Sequence, residues 1–303
     1  MNSNIHTPIL VPEIINHLNI FASDTILDLT IGFGGHAEEI LTKLSTSGKY
    51  IGIDQDLTAL NYSKNKFSSS NLISFHHSNF KNFPSILEDL KIKKVNKIII
   101  DLGVSSLQLD DISRGFSYRG DAFLDMRMNS KENLTAKEVI NTYSKEDLSN
   151  IFYKFGELHH NKKLVENILL HRKKAIINTT TELCELIKKS YFFNNNRKKL
   201  IKAYSQVFQA LRIEVNQEFE NLSITLKNIH KYLDINGIVA ILSFHSLEDK
   251  LIKHYIKGST YFEFCPKKVI KPSYNECKIN PRARSAKCRI FKFKNQNQQS
   301  DFL

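Results

Sequence analysis

Residues 28 to 36 read "DLTIGFGGH": an aspartate, three glycines within four positions, then a histidine. Glycine is tolerated where a backbone turns left-handed or lets a ligand come close. Gly32, Gly34 and Ala37 satisfy the loose dinucleotide spacing G-x-G-x-x-G/A, so a nicotinamide or flavin cofactor is the first reading the loop raises. The loop ends an apolar run, "TILDLTI" (25 to 31), of the length of a buried strand. Further along, "YIGID" (50 to 54), "LISFHH" (72 to 77), "NKIIIDLG" (96 to 103) and "GIVAILSFHS" (237 to 246) have the same character, and helix-length segments separate the first four. That alternation predicts a parallel α/β sheet. Ligands of such sheets sit beyond the carboxyl ends of the strands. Attention therefore falls on Gly32 to His36, Asp54, Phe80, Asp101 to Ser106 and Ser243 to Ser246.

More than 100 residues lie between the fourth and fifth of these runs, far beyond what a crossover needs, and they are polar and helix-rich from 108 to 203. The expected organisation is a core in two parts, 1–107 and 204–303, interrupted by a helical domain over 108–203. After it, Tyr204, Val207, Phe208, Leu211, Val215, Phe219, Leu222, Leu226, Ile229 and Leu233 recur every three or four residues. This spacing predicts one long amphipathic helix packed back on the sheet. "KCRIFKFK" (287 to 294) alternates apolar and basic residues as a last strand would, and the tail "NQNQQSDFL" has the composition of a disordered segment.

Among the 303 residues, 41% are hydrophobic and 10% aromatic, enough to bury a core. No apolar run nears the ~20 residues of a membrane helix, and "MNSNIHTPILVPE" lacks the features of a signal peptide. A cytoplasmic location without membrane contact is expected. Cys184, Cys265, Cys277 and Cys288 form no C-x-x-C pair. They read as four reduced thiols, and no metal site is expected: zinc held by the last three lacks ligand spacing, which neither His76-His77 nor His159-His160 restores. The net charge of +12 gathers in "NNNRKKLIK", "HRKKA", "CPKKVIKPS" and "NPRARSAKCRIFKFK". A polyanion is the natural partner, because each neutralised phosphate releases counterions. A lysine-rich solvated surface accounts for part of the excess, whereas Arg282 and Arg284 look placed.

Asp54 closes the second strand, where a carboxylate can accept both hydroxyls of an adenosine ribose. NAD and S-adenosylmethionine would both use it. They differ at the glycine loop, which must admit a pyrophosphate for one and an amino acid with a sulfonium cation for the other. Asp28 beside the glycines would repel a pyrophosphate and suits an ammonium. Asp101, in "IIIDLGVSSLQLDD", adds a third acid at a strand end. A capping role would explain it alone, but not acids at three strand ends, and the fit is to methyl transfer.

"HTPILVPEII", "DLTIGFGGH", "GIDQD", "DLGVSSLQLDDISRGFSY", "LDMRM", "FQALRIEVNQE", "SFHSLEDKLIK" and "NPRARS" follow one another in this chain. In order and spacing they resemble the bacterial RsmH/MraW family of 16S rRNA cytosine-N4 methyltransferases over nearly the whole length. The resemblance implies a Rossmann-like S-adenosylmethionine-dependent methyltransferase core with an inserted helical domain that helps hold the RNA. It also implies 16S rRNA in the small ribosomal subunit as partner, with cytosine 1402 of the decoding region as target. Cofactor contacts fall on Gly34, Gly35, His36, Asp54, Phe80, Asp101 and Gln108. Whether the chain acts as a monomer or a homodimer is left open.

The N4 amine of cytosine is a poor nucleophile, so positioning must supply most of the rate. No cysteine follows the fourth strand, so the covalent route to carbon-5 methylation lacks its nucleophile. Asp101, Asp125 and His245 are the catalytic candidates, and Ser105, Arg127, Arg282 and Arg284 the substrate-binding ones. Ser105 and Ser106 are candidates to orient the base, while Phe116 or Tyr118 either stacks on it or anchors a loop. Asp125 and Arg127 either read the cytosine edge or pair with each other. Ser246 and Asp249 have the spacing of a helix capping box.

Overall fold

Successive residues of a strand point to opposite faces, so a run buried on both sides must be apolar at every position. The computed structural model, which describes residues 8–194 and 196–294, places seven strands in one sheet, of which the central ones come nearest that pattern. They are β1 (Thr25–Asp28), β2 (Lys49–Asp54), β3 (Ile73–His77), β4 (Val95–Asp101), β5 (Leu233–Ser243), β6 (Phe262–Phe264) and β7 (Lys287–Phe293). Their order is β3-β2-β1-β4-β5-β7-β6. The first five pair in parallel, while β7 runs antiparallel to both β5 and β6. The order reverses between β1 and β4, which are paired, so a crevice opens at their carboxyl ends. The tail "NQNQQSDFL" and the first residues of "HTPILVPEII" lie outside the described residues.

The helices are, in chain order, α1 (Val11–Leu18), α2 (Gly35–Leu41), α3 (Leu57–Lys66), α4 (Phe83–Asp89), α5 (Ser106–Asp110), α6 (Ala136–Thr142) and α7 (Lys145–Lys154). They continue with α8 (Lys162–Arg172), α9 (Thr180–Ser190), α10 (Arg197–Asn216), α11 (Glu218–Tyr232), α12 (Ser246–Gly258) and α13 (Tyr274–Ile279). None of the described helices is long and apolar enough to cross a membrane.

The chain divides into two units, residues 1–103 with 219–303 and residues 104–218. In the first, alternation sorts the sheet residues. Leu27, Ile98, Ile100, Val239, Ile241 and Phe291 join Leu87 of α4, Leu226 of α11 and Ile252 of α12 in one core. Ile26, Ile99, Ala240, Leu242 and Ile290 join Ile14 of α1, Ile40 of α2 and Leu60 of α3 in another. This is the parallel α/β sheet that the spacing predicts, in the Rossmann-like form that the family resemblance implies. In the second unit, α6 to α10 close round their own core of Val139, Phe152, Ile168, Leu183 and Leu211. Phe116 belongs to that core, and Tyr118 packs on Tyr204 and Phe208 at ring distances of 5.6 and 5.8 Å. Of the two roles open for these aromatics, stacking on a base and anchoring a loop, these contacts show packing.

The single helix expected from Tyr204 to Leu233 is two helices. Gln217 sits between α10 and α11 in the left-handed region (φ 51, ψ 38), which ends the run of i to i−4 hydrogen bonds. The apolar repeat continues across the break but serves different cores, Leu211 the second unit's and Leu226 the first's. For that reason the boundary expected near 203 lies at 218, and the earlier one lies at 104 instead of 108.

Left-handed backbone costs a side-chain-bearing residue about 1 kcal/mol, and the Gln217 side chain is exposed. Gln217→Gly is therefore expected to stabilise the fold by roughly 0.5 to 1 kcal/mol in denaturant unfolding, after glycine's own entropy is counted. A loss of stability would mean that the glutamine side chain contributes more than its exposure indicates.

Candidate functional site at the strand ends

The glycine loop closes onto Asp54. Gly32 N–H donates to Asp54 Oδ2 at 2.7 Å and Asp56 N–H to Oδ1 at 2.8 Å. Each oxygen keeps a second lone pair, so the carboxylate can still accept two hydroxyls. Burial pushes its pKa up to about 7, against the two amide donors. Gly34 begins α2 with φ at 74°, and a Cβ there would stand 2.4 Å from Cε2 of Phe67. Only glycine fits that turn. Gly35 follows under Pro8, whose Cβ lies 2.8 Å from where a side chain would start.

His36 and Phe80 turn inward. His36 is 7% exposed and its Nε2–H donates to Ile9 C=O at 3.1 Å. Burial lowers its pKa although the Asp28 charge works the other way, so the ring is neutral and ties α2 to the segment before α1. Phe80 is 8% exposed within the core shared by Leu29, Ile53 and Phe83. Phe80, expected among the cofactor contacts, is thus a core ring that presents only its rim.

Asp28 and Asp101 complete a row of acids at the ends of β1, β2 and β4. Asp28 accepts from Tyr50 Oη–H at 2.6 Å and Thr30 N–H at 3.1 Å. Burial nonetheless raises its pKa to about 6, and the nearby Asp101 adds to the rise. Asp101 is anchored through its own N–H, which donates to Thr30 Oγ1 at 2.6 Å. Among the described residues its Oδ1 is buried with no hydrogen-bond partner, and burial together with the neighbouring Glu248 pushes its pKa up to about 7. An orphaned carboxylate oxygen among other acids is costly unless a cation or donor meets it.

Glu248 was not foreseen. The capping box of α12 is built by His245 and Glu248, one register before the Ser246 and Asp249 pair that the sequence suggests. Glu248 N–H donates to His245 Nδ1 at 3.4 Å, and Glu248 Oε2 accepts from Phe244 N–H at 2.8 Å and His245 N–H at 3.3 Å. Glu248 Oε1 lies 3.2 Å from His245 Nε2. The signal was a glutamate three residues after His245, masked because histidine is not a usual N-cap. Since Nδ1 is an acceptor here, the neutral ring carries its proton on Nε2. Asp249 instead pairs with Arg289 at 2.6 Å and Lys287 at 3.1 Å, tying α12 to β7.

Four predicted residues lie in the second unit. Ser105 N–H donates to Gln108 Oε1 at 2.8 Å and Gln108 N–H to Ser105 Oγ at 3.2 Å, the reciprocal cap of α5. Arg127 grips Asp125 through Nε at 2.8 Å and Nη2 at 2.7 Å, and reaches the carbonyls of Ser130 and Glu132. Burial alone would raise the Asp125 pKa, but Arg127 holds it below the usual range. Of the two roles the sequence leaves open for Asp125 and Arg127, the geometry shows the mutual pair. Arg282 and Arg284 stand exposed on the 3-10 turn Pro281–Ser285, whereas Arg289 of the same basic cluster is buried against Asp249 and Phe264.

Residues 3–294 match the family model of the MraW methylase family. The ribosomal RNA small subunit methyltransferase H of Clostridium botulinum strain Loch Maree is 42% identical over 303 residues, covering 94% of this chain and 97% of its own. The protein of the same name from Mycoplasma mobile is 41% identical over 305 residues, covering 96% and 99%. A solved rRNA methylase from Streptococcus thermophilus aligns with a TM-score of 0.45 and 10% identity over 93% of this chain and 95% of that one. With a family model spanning nearly its whole length and end-to-end relatives at such identity, this chain belongs to the MraW methylase family.

Proposed function

We propose that this methylase transfers the methyl group of S-adenosylmethionine to the N4 amine of a cytidine in small-subunit ribosomal RNA, in the cytoplasm. The observation that carries the reading is the buried, unpartnered Oδ1 of Asp101 beside Asp28 and Glu248. Such a cluster suits a cationic ligand and repels a pyrophosphate, which disfavours a dinucleotide in the same glycine loop. S-adenosylmethionine supplies a sulfonium-bound methyl group. Asp54 takes the ribose hydroxyls, Gly34 and Gly35 let the ligand approach the backbone, and Asp28 and Asp101 offset positive charge. The cytosine target rests on the family resemblance and on the absence of a cysteine nucleophile after β4.

The chain's own proton inventory assigns the remaining roles. With Nδ1 occupied by the α12 cap, His245 offers Nε2–H as a donor and orients the base without taking its proton. Asp101, its pKa near 7, is matched to accept the proton that the amine releases. The helical unit and the exposed Arg282 and Arg284 hold the RNA.

Below about pH 7 the free protein keeps protons on Asp54 and Asp101, while the bound cation and ribose hydroxyls favour the carboxylates. Binding is therefore expected to release protons and to tighten as pH rises, levelling off above the raised values. Calorimetry at about pH 6.5 in two buffers of different ionisation enthalpy counts those protons. Asp54→Asn should release fewer and weaken binding by about 1.5 to 3 kcal/mol. Heats independent of buffer would remove the acids from the site.

Nucleoside mass spectrometry of ribosomal RNA from cells with and without the gene tests the base and the atom. For His245, the Asn variant keeps a cap while losing the imidazole. It is expected to melt normally, bind S-adenosylmethionine normally, and slow single-turnover methyl transfer roughly five- to 150-fold. A normal rate would leave His245 as a cap alone.

A further inference from the structure

The helical unit carries a polar cleft that the methyl-transfer chemistry leaves unused. It lies between α7 and α8, has a volume of about 630 Å³, and is lined by side chains of which none is aliphatic. Small-molecule pockets of this size are mostly apolar. Here one wall is Ser149, Asn150 and Tyr153 of α7; the other is His159, His160, Lys162, Lys163 and Glu166. The walls are fixed from below. Asn161 is buried and accepts from Ser149 Oγ–H at 2.9 Å, while its amide donates to the carbonyls of Ser149 at 2.9 Å and Leu158 at 3.1 Å. Leu148, Phe152, Leu158 and Leu164 bury the opposite faces of the same segments in the core. The rim is open. Tyr153 is 54% exposed and meets His159 edge to face at 5.2 Å and 71°. His159, His160, Lys162 and Lys163 are exposed as well.

We propose that this cleft binds a phosphate-bearing nucleotide of the RNA substrate, away from the base that is methylated. Lys162 and Lys163 meet the phosphate, and the Tyr153 and His159 rings offer faces and edges on which a base stacks. Aromatic rings beside lysines suit single-stranded nucleic acid, because every base has a face to stack and every linkage a charge to neutralise. Glu166 sets a limit on the site: one carboxylate among the cations disfavours a dense free anion such as a triphosphate, whereas a phosphodiester carries a single charge. The inference rests on the ribosomal RNA reading above, and assigns to the inserted helices a definite handhold.

The test uses the full chain and a fluorescein-labelled transcript of the small-subunit decoding region. Binding is read by anisotropy across about 50 to 200 mM KCl. Lys162→Ala with Lys163→Ala alters exposed positions only and is expected to melt like the parent. It should weaken RNA binding roughly five- to tenfold and lower the slope of log K against log salt by about one to two units. Tyr153→Ala should weaken binding with the slope unchanged, since stacking releases no counterions. Affinity for S-adenosylmethionine should stay at the parental value in both. Unchanged RNA affinity and slope in the lysine variant overturn the proposal, whether or not ATP or inorganic phosphate binds the cleft. Parental protein that binds the transcript yet methylates neither it nor small subunits would overturn the proposed reaction instead, and the binding comparison still decides the cleft.

Discussion

Burial of acids at the ends of adjacent parallel strands is the constraint on which the site depends. A carboxylate leaves water at a cost, and a protein without a compensating cation answers by raising its pKa. Asp28, Asp54 and Asp101 all do so, to about 6, 7 and 7. Asp54 recovers part of the cost through Gly32 N–H and Asp56 N–H, and Asp28 through Tyr50 and Thr30. The Asp101 Oδ1 recovers none among the described residues, so the largest gain from a cation falls at one of the two strand ends that flank the strand-order reversal. The glycine loop serves the same arrangement. It brings Gly32 N–H to Asp54, and its left-handed turn at Gly34 leaves backbone where any other residue would put a side chain.

The sheet and the loop were legible because each follows from a local rule. A strand buried on both faces must be apolar throughout, and β1, β2, β4 and β5 read that way. A left-handed turn against Phe67 needs glycine, and "GFGG" supplies it. What stayed hidden depends on which partner a residue meets. The apolar repeat from Tyr204 to Leu233 has no internal mark of the break, because periodicity records that a face is buried and not which core buries it. Gln217 is an ordinary helix former, and nothing in its identity announces a left-handed backbone. β6 spans only Phe262–Phe264, too short for an alternation to register.

Charged residues show the same division. Asp125 and Arg127 have the identity and spacing of a reading pair, yet a bidentate grip at 2.7 and 2.8 Å commits each to the other. Arg289 sits in the same basic stretch as Arg282 and Arg284, but its place on β7 faces Asp249 of α12 and so it holds the fold. Composition shows the excess of positive charge; its tertiary partner identifies Arg289 as a cation that holds the protein together.

His245 shows how a structural contact can prepare a chemical one. Serine, threonine, aspartate or asparagine caps a helix better than histidine does, and the Glu248 N–H to Nδ1 distance of 3.4 Å is at the long limit of such a bond. A position that needed only a cap would be better served by one of those residues. The cap does, however, decide the ring's protonation pattern. By occupying Nδ1 it confines the neutral imidazole to the Nε2–H form. That leaves a fixed donor at the end of β5, beside an acid at the end of β4 whose pKa is near neutrality. Under the proposed reaction, a donor to hold the target base and an acceptor for its proton stand on neighbouring strands, because the sheet pairs β4 with β5.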